Sequence, residues 1–236
     1  MSSFEQKYAP KHISEVVFPS NWAKEFVDDF IYDKQFCHVI FEGDPGTGKS
    51  SLLGLIPKEI FVDERFIDGQ ALDGYSCNSV KDVRGKIQSY VSSVSITDVC
   101  AKFVRIDEFD QMSKQAQGAL KLVLDLGLKT DTYFMMATNN YDSIDEGVRD
   151  RCEHSKMSDF DHKLWLPRLY EILDIEGISG VDDKILLDLV DSCNGQFRGV
   201  LRKLKRVVKG ARKKQPAPQS AVINTEASKK LHTSRL

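Results

Sequence analysis

The feature of this sequence that most constrains its fold is a glycine-rich stretch between a short apolar run and an amphipathic segment. It follows the pattern Gly-x-x-x-x-Gly-Lys-Ser and consists of Gly43, Asp44, Pro45, Gly46, Thr47, Gly48, Lys49 and Ser50. The run from His38 to Phe41 predicts a β-strand, and the segment from Ser51 to Ile56 predicts a helix that Pro57 closes. A glycine-rich loop between a strand and a helix is typical of phosphate binding.

The residue types of this loop suit a nucleoside triphosphate. Glycines let backbone N–H groups turn inward around phosphate oxygens, because a Cβ atom there would block the turn or the ligand. Lys49 would reach the β- and γ-phosphates, the Ser50 hydroxyl would ligate Mg²⁺, and the helix N-terminus at Ser51 favours an anion. We therefore predict that the whole loop and Ser51 bind a nucleoside triphosphate. The alternative is a tight turn without a ligand.

The bulk composition is that of an ordinary globular protein. The 236 residues are 41% hydrophobic and 29% charged, which allows a buried core and two domains. No run approaches the roughly 20 apolar residues of a membrane span, and no signal peptide is visible, so we expect a cytoplasmic protein without membrane contact. The five cysteines form no C-x-x-C pair and predict neither a disulfide framework nor a zinc site.

The charge is distributed unevenly along the chain. The net charge is −2, yet the residues from Leu201 onward contain eleven Lys or Arg and one acidic residue, whereas the first 200 contain 22 basic and 34 acidic residues. A basic C-terminal end is typical of a polyanion-binding surface, and a solvating tail is the alternative. From Gly210 onward few residues could form a core, so we expect disorder there and a disordered basic tail over residues 213–236.

A pair of carboxylates follows a second apolar run. Phe103 to Ile106 indicates a strand, and Asp107 and Glu108 come directly after it. In phosphate-loop enzymes such a strand delivers an Asp that holds Mg²⁺, and a following Glu can polarise the water that attacks the γ-phosphorus. Adjacent residues at a strand end point in different directions, so one can face the metal and the other the nucleophile. We assign Asp107 to Mg²⁺ and Glu108 to catalysis.

Helices and strands alternate through the rest of the first 158 residues. Helices are predicted from Trp22 to Ile31, from Ser79 to Ser93 and from Lys114 to Leu126. One strand is predicted to include Phe66 and Ile67 and could extend to Ala71 and Leu72, and another runs from Tyr133 to Ala137. This alternation predicts an α/β domain with a parallel sheet over residues 1–158. Asn139 follows the last strand and could orient the attacking water, since open α/β sheets place ligands beyond the carboxyl ends of their strands; turn formation is the alternative.

Three further helical patterns follow. They begin near Trp165, Ile185 and Phe197 and predict a small all-helical domain over residues 159–212. The last of them is rich in Lys and Arg, and the helix from Ser79 to Ser93 also presents Lys81 and Arg84. A solvated helix face is the alternative interpretation of these cations.

Six stretches between Phe4 and Arg212 resemble motifs of the sliding-clamp loader ATPases of the AAA+ family, most closely the small ATPase subunit of bacteriophage clamp loaders. Glu5 to Pro10 is similar to the opening motif E-x-K-Y-R-P, and the phosphate loop and the strand ending in Asp107 and Glu108 resemble Walker A and B. Ala137 to Asn140 is similar to the sensor-1 strand. The other two stretches resemble the S-R-C motif and the sensor-2 helix and consist of Arg149 to Cys152 and Phe197 to Gly199.

The resemblance implies roles for individual residues. Tyr8 and Pro10 would lie near the adenine, and Asn139 and Arg198 would report the γ-phosphate to the helical lid. Arg151 would act in trans on the γ-phosphate bound by a neighbouring subunit, with Arg149 as an alternative on the same side of an extended segment. Lys81 and Arg84 would contact the DNA backbone.

The resemblance also implies a function and partners. The protein would use ATP and Mg²⁺ to open a sliding clamp and load it at primer-template DNA, within a pentameric hetero-oligomer of clamp-loader subunits that serves DNA polymerase indirectly. Alternatives are a helicase loader, a branch-migration motor or a nucleotide-binding scaffold. Ala9 replaces the arginine of the opening motif, Asp150 brings a carboxylate that could restrain Arg151, and no collar domain is expected.

Overall fold

Five parallel strands form the centre of the molecule. The structure is a computed structural model that describes residues 3–61, 69–93, 101–158 and 161–214. The strands are β1 (Val39–Glu42), β2 (Gly69–Asp73), β3 (Lys102–Asp107), β4 (Thr132–Thr138) and β5 (Glu153–Lys156). Their order in the sheet is β2-β3-β4-β1-β5, and every pair is parallel. Because all strands run one way, the phosphate loop after β1 and the polar residues after β3 and β4 share one edge.

Nine helices connect or follow these strands in the described part of the chain. They are α1 (Ser3–Lys7), α2 (Asn21–Ile31), α3 (Lys49–Ile60), α4 (residues 80–91), α5 (Lys114–Lys129), α6 (Glu146–Arg149), α7 (Leu166–Ile175), α8 (Asp183–Asp191) and α9 (Phe197–Lys214). Short 3-10 turns cover Ile13–Glu15, Phe109–Gln111, Tyr141–Ser143 and His162–Trp165.

The three central strands β1, β3 and β4 are buried on both faces because they are mostly apolar on both sides, whereas the edge strands β2 and β5 are more polar and more exposed. In β1, Phe41 packs with α2 and α3, whereas Ile40 packs with α4 and α5 on the opposite face. A third apolar cluster is formed by α7, α8 and α9, and Tyr8 from the N-terminal segment is part of it. These layers confirm the predicted α/β class with a parallel sheet and a helical C-terminal portion.

The predicted helix from Ser79 is present and has an unusual middle. Ser79 caps it by accepting a hydrogen bond from the Asp82 N–H at 3.1 Å, as expected for this residue type. Residues Val83–Gln88 form a π-helical segment around Gly85, whereas the sequence predicted regular helix. The predicted strand residues Phe66 and Ile67 lie outside the described residues, whereas Ala71 and Leu72 lie in β2.

The prediction that Pro57 closes the helix after the phosphate loop is wrong, because α3 continues to Ile60 with Pro57 inside it. Proline lacks the N–H that would bond to the carbonyl of Leu53. The half-buried guanidinium of Arg105 in β3 compensates, since its Nη1 lies 3.4 Å from Leu53 O. A contact between distant parts of the sequence therefore keeps the helix continuous.

The expectation of disorder from Gly210 is also wrong for the first residues of that segment, because α9 is helical to Lys214. Ala211 packs against the cluster formed by the last three long helices. The guanidinium of Arg212 lies 2.5 Å from Glu176 Oε2 at the end of α7. These contacts hold the last turn on the helical layer. The rest of the predicted basic tail lies outside the described residues.

Candidate functional site

The phosphate loop has a backbone that requires glycine. Gly46 and Gly48 have φ angles of 90° and 101°, in the region that L side chains rarely adopt. Gly43 is needed for space, because a Cβ atom there would lie 2.7 Å from Met157 O. Helix α3 begins at Lys49, so its unpaired N–H groups face the loop. The local sequence therefore builds a cradle of backbone donors.

Lys49 is folded onto this loop. Its side chain is buried, and Nζ donates to Gly43 O at 2.6 Å and to Asp44 O at 2.9 Å. Burial lowers its pKa, and the nearby Asp107 and Asp44 carboxylates oppose that shift. An ammonium group in this position supplies positive charge where phosphate oxygens would be bound.

A single cavity unites the motifs that are distant in sequence. It lies between the phosphate loop, the ends of β3 and β4, and the start of α9. Its lining residues are Pro45, Gly46, Lys49, Ser50, Asp107, Glu108, Ala137, Thr138, Asn139 and Arg198. The structure thus brings together the predicted phosphate-binding, carboxylate, sensor-1 and sensor-2 residues.

Glu108 has a left-handed backbone at the rim of this cavity, with φ of 50°. Such a conformation is strained for a non-glycine residue, and strained residues cluster at functional sites. Its N–H donates to Asp107 Oδ1 at 3.0 Å. The backbone therefore stops following the direction of β3 at Glu108, and the 3-10 turn begins with the next residue.

Asp110 positions the end of β4, a role that sequence analysis missed. Its Oδ1 accepts from Thr138 Oγ1 and from the Asn139 N–H, both at 3.1 Å. The 3-10 turn Phe109–Gln111 brings this carboxylate back over the sheet edge. The only signal in the sequence was a third acidic residue so close to the carboxylate pair.

The start of α9 is bonded directly to the phosphate loop. The Phe197 N–H donates to Gly46 O at 2.8 Å, and Arg198 lies next to the same glycine. A smaller apolar pocket adjoins the loop and is lined by Pro10, Val16, Val17, Thr47, Gly48, Ser51, Trp165 and Phe197. Its flat apolar residues suit an aromatic base. A neighbouring cavity shares Pro10 with this pocket and is also lined by Glu5, Ala9 and Leu201.

Tyr8 does not join these pockets, which corrects the expectation that its ring lies near the adenine. Its side chain is buried in the helical cluster, and its hydroxyl donates to Glu176 Oε1. Lys7 binds the same carboxylate at 2.7 Å. Among the described residues of the opening motif, Glu5, Ala9 and Pro10 line the cavities instead.

Arg151 is held by a residue that the sequence did not indicate. Its Nε and Nη2 lie 2.8 and 3.1 Å from the two carboxylate oxygens of Asp125 in α5, and Nη1 donates to Gly147 O at 2.7 Å. The hydrogen bond from Arg151 lowers the pKa of the Asp125 carboxyl. Asp150, whose carboxylate could restrain this arginine according to the sequence, is not among these hydrogen-bond partners in the described structure.

Arg149 and Arg151 also differ in placement, because the segment from Arg149 to Arg151 is not extended, although the sequence predicted that it would be. Arg149 ends α6, and a turn follows it. The guanidinium of Arg149 lies 5.3 Å from the centre of the Tyr141 ring. In the described structure, neither arginine lines the cavities around the phosphate loop.

Lys81 and Arg84 lie exposed on α4. Neither of these two side chains forms an ion pair or a hydrogen bond with any residue whose position is described. In contrast, Lys86 on the same helix pairs with Asp82 and donates to Ser76 O at 2.8 Å. The two predicted DNA-binding cations are thus the uncompensated ones on this helix.

The predicted magnesium ligands are compatible with that ion. The Ser50 hydroxyl and the Asp107 carboxylate line one cavity, and Mg²⁺ is usually held by one or two carboxylates with waters and phosphates. The described residues contain no group of three or more His, Cys, Asp or Glu side chains that could hold a metal. A donor set this small fits a metal that binds together with a phosphate substrate.

Gly74 lies very close to the backbone of Glu108. Its N–H donates to Asp107 O at 2.8 Å, and a Cβ atom on it would lie 2.2 Å from Glu108 O. We expect Gly74→Ala to displace Glu108 and to lower ATP turnover by roughly 100-fold, since misplacement of about 1 Å can have that effect. Turnover and nucleotide affinity are measured together, and affinity should not change because Gly74 lies outside the phosphate loop.

The matched control is Gly118→Ala in α5, where an added Cβ atom would meet nothing within 4 Å. This variant should turn over ATP like the original protein. Wild-type turnover in a folded Gly74→Ala protein would refute the positioning role.

Comparisons with known proteins identify the family. The model of the "ATPase family associated with various cellular activities (AAA)" matches residues 39–159, which is just over half of the chain. This chain belongs to the AAA family of ATPases. The matched range contains the phosphate loop, the carboxylate pair and Asn139. No helix in the described part of this AAA protein could cross a membrane.

Several curated proteins are similar to this AAA protein over most of its length. It is 27% identical over 200 residues to the replication factor C small subunit of Thermofilum pendens, covering 85% of this chain and 61% of that protein. It is 26% identical over 204 residues to mouse replication factor C subunit 5, with coverages of 85% and 58%. A putative replication factor C small subunit of Acanthamoeba polyphaga mimivirus is 26% identical over 208 residues, with coverages of 85% and 56%. The chain thus spans 56 to 61% of the length of these relatives.

A solved structure is also similar in fold. It is that of the Holliday junction branch migration motor RuvB of Thermotoga maritima, with a TM-score of 0.65, 16% identity, and coverage of 86% of this chain and 65% of that one. At this identity the similarity concerns the fold alone. It agrees with the arrangement of a parallel sheet followed by a helical layer.

Proposed function

We propose that this AAA protein is an ATPase subunit of a sliding-clamp loader, which couples ATP binding and hydrolysis to opening a clamp and loading it at primer-template DNA. The observation that carries the proposal is the cavity that unites the phosphate loop, Asp107, Glu108, Asn139 and Arg198. The choice of client is supported by similarity to replication factor C small subunits over 85% of the chain.

Within one chain, the residues of the cavity divide the work of binding and proton transfer. Lys49 and the loop N–H groups bind the phosphates, and Ser50 and Asp107 would hold Mg²⁺, which neutralises phosphate charge when bound. Glu108 accepts the proton of the attacking water, and Asn139 orients that water.

The base and the sugar would lie next to the N-terminal segment. Pro10 contributes to the apolar pocket beside the loop, and Ala9 lines the adjoining cavity. Arg198 would bind the γ-phosphate, and because Phe197 bonds to Gly46, a change at the phosphate would reach α9 directly. We propose a nucleotide-binding domain over residues 1–158 and a helical lid domain over residues 159–212. Tyr8 belongs to the first of these by sequence but packs on the helices of the second.

In the described structure, Arg198 is the one arginine that lines the nucleotide cavities. In many related reactions an arginine from a neighbouring molecule stabilises the charge of the transition state. Arg151 is our candidate because its guanidinium is oriented by Asp125 outside its own nucleotide cavity. The active site would then be completed only between adjacent subunits.

The proposed partners are the clamp, primer-template DNA and other loader subunits in a pentameric assembly, with DNA polymerase as an indirect partner in the cytoplasm. Lys81 and Arg84 on α4 would contact DNA phosphates, so their binding would not depend on the base sequence of the DNA. A bacteriophage origin stays a prediction. The viral proteins to which the chain is similar include two putative replication factor C small subunits of mimivirus.

A steady-state ATPase assay with and without clamp and primed DNA tests this function. We expect low turnover by the loader alone, stimulation when clamp and primed DNA are both present, and loss of activity when EDTA removes Mg²⁺. A full rate in the absence of both partners would contradict clamp loading. Stimulation by a replicative helicase or a four-way junction instead would indicate a helicase loader or a branch-migration motor, and binding without turnover would indicate a scaffold.

A further inference from the structure

Helix α9 carries a line of exposed cations. Nine of its 18 residues are Lys or Arg and none is acidic. Arg202, Arg206, Lys209 and Lys213 are exposed and follow at intervals of four, three and four residues, which places them on one face of a helix. We call these four residues the α9 stripe. Arg198, one turn earlier, extends the line into the nucleotide cavity.

Helix stability does not account for this pattern. Like charges four residues apart destabilise a helix, and Arg202 with Arg206 and Lys209 with Lys213 form such pairs. Cations are favourable in the last turn of a helix but unfavourable in the first turn, where Arg198 lies. An ordinary solvated face mixes both signs of charge, so a helix with one sign only indicates an anionic ligand.

Acidic residues of the protein neutralise the first cation of the α9 stripe and one arginine beside the stripe. Arg202 Nε lies 3.2 Å from Glu5 Oε1, and Arg212 beside the stripe pairs with Glu176. Arg206, Lys209 and Lys213 form no ion pair with any residue in the described ranges. These three cations extend over about 10 Å of helix. Duplex DNA presents one negative charge per roughly 1.7 Å of its axis, so a segment of this length offers enough phosphates to pair with all three cations.

The opposite face of α9 excludes a membrane as the ligand. Val200, Leu201, Leu204 and Val208 are buried in the helical cluster. An amphipathic helix that binds a bilayer needs its apolar face free to enter the headgroup region. The exposed face offers only long cationic side chains at a regular spacing, which suits a repeating array of phosphates.

We propose that the α9 stripe is a second nucleic-acid contact, which binds the phosphate backbone of duplex DNA without sequence preference. The choice of DNA rests on the proposed function, whereas the site itself is separate from Lys81 and Arg84 on α4. Because α9 begins at the phosphate loop, DNA on the stripe lies along the helix that bonds to Gly46.

The test is a titration of the full chain with a labelled 20-base-pair duplex by fluorescence anisotropy over a series of salt concentrations. The variant R206Q/K209Q/K213Q removes the three uncompensated cations. We expect its affinity at low salt to fall at least 10-fold, and the slope of log affinity against log salt to shrink by roughly 2.7, at about 0.9 for each phosphate that is no longer neutralised. The charge-preserving variant R206K/K209R/K213R should bind like the original protein, which controls for folding together with a thermal melt.

A matched control removes three exposed lysines from other elements. K34Q/K129Q/K184Q makes the same change in net charge, and none of these lysines forms an ion pair in the described structure. It should keep the salt slope of the original protein. An equal loss of affinity in this control would overturn the stripe, because net charge alone would then explain the binding.

A second variant separates this proposal from the proposed function. If K81Q/R84Q abolishes DNA binding while R206Q/K209Q/K213Q has no effect, the stripe is refuted and the clamp-loader function stands. If both variants weaken binding, the stripe is supported as a separate site. If polyglutamate competes as well as DNA at equal charge, the stripe is an acidic-protein surface and our proposal is wrong.

Discussion

Replacing Arg151 with alanine is expected to lower ATP turnover of the assembled protein by roughly 10³- to 10⁵-fold, the range that a trans-acting arginine contributes. The guanidinium is already oriented by the two oxygens of Asp125 and by Gly147 O, so little entropy is lost when it meets a neighbour's phosphate. Nucleotide affinity of the single chain should not change. Turnover in the assembly and equilibrium nucleotide binding by the isolated chain are the two measurements.

The matched control for this prediction is Arg149→Ala. It removes the same charge two residues away, from a side chain that lies over the Tyr141 ring and reaches Asp142 at 3.7 Å. We expect a much smaller decrease in turnover. A greater decrease from Arg149→Ala than from Arg151→Ala would show that Arg149 is the trans-acting arginine. An equal loss of nucleotide binding in both variants would show that misfolding explains the lower turnover.

Glu108→Gln is expected to lower turnover by about 10²- to 10⁴-fold, the usual contribution of a general base. Glutamine has nearly the same shape but cannot accept the proton of the attacking water. Since Lys49, Ser50 and Asp107 remain, ATP should bind with unchanged affinity. Single-turnover hydrolysis and a binding titration on the same preparation separate the two effects.

Glu146→Gln serves as the control for that substitution, because Glu146 is an exposed carboxylate at the start of α6. It should hydrolyse ATP at the original rate. Unchanged hydrolysis by Glu108→Gln with nucleotide bound would transfer the role of base to another group at the cavity, and our assignment of Glu108 would be wrong.

The part of the fold that local sequence determines was predictable. A strand, a glycine-rich loop and a helix follow one another at the phosphate loop, and the alternation of periodic segments indicated the parallel sheet and its helical layers. Because parallel strands end at one edge, residues after β1, β3 and β4 could be expected to meet there. The phosphate loop, Asp107, Glu108 and Asn139 do line one cavity.

The errors arose where residues far apart in sequence interact. Pro57 does not end α3 because Arg105, 48 positions later, binds the carbonyl that proline leaves free. Helix α9 passes Gly210 because Arg212 pairs with Glu176. The side chain of Tyr8 is buried in the helical cluster and does not line the nucleotide pocket. No periodicity or motif carries information about such pairings.

Two positioning interactions were likewise invisible to sequence analysis. Asp110 orients the backbone of Asn139, and Gly74 lies against the carbonyl of Glu108. Both depend on turns whose geometry is set by the packed sheet edge. The sequence could name the groups that react but not those that hold them.

The central claim, that one subunit binds the triphosphate and the next completes its site, is tested most directly by mixing two inactive variants. Glu108→Gln keeps Arg151, and Arg151→Ala keeps Glu108. We expect the co-assembled mixture, with clamp and primed DNA present, to recover turnover far above the sum of the two separate preparations, because some adjacent pairs combine an intact base with an intact arginine. A mixture that never exceeds that sum would contradict a shared active site.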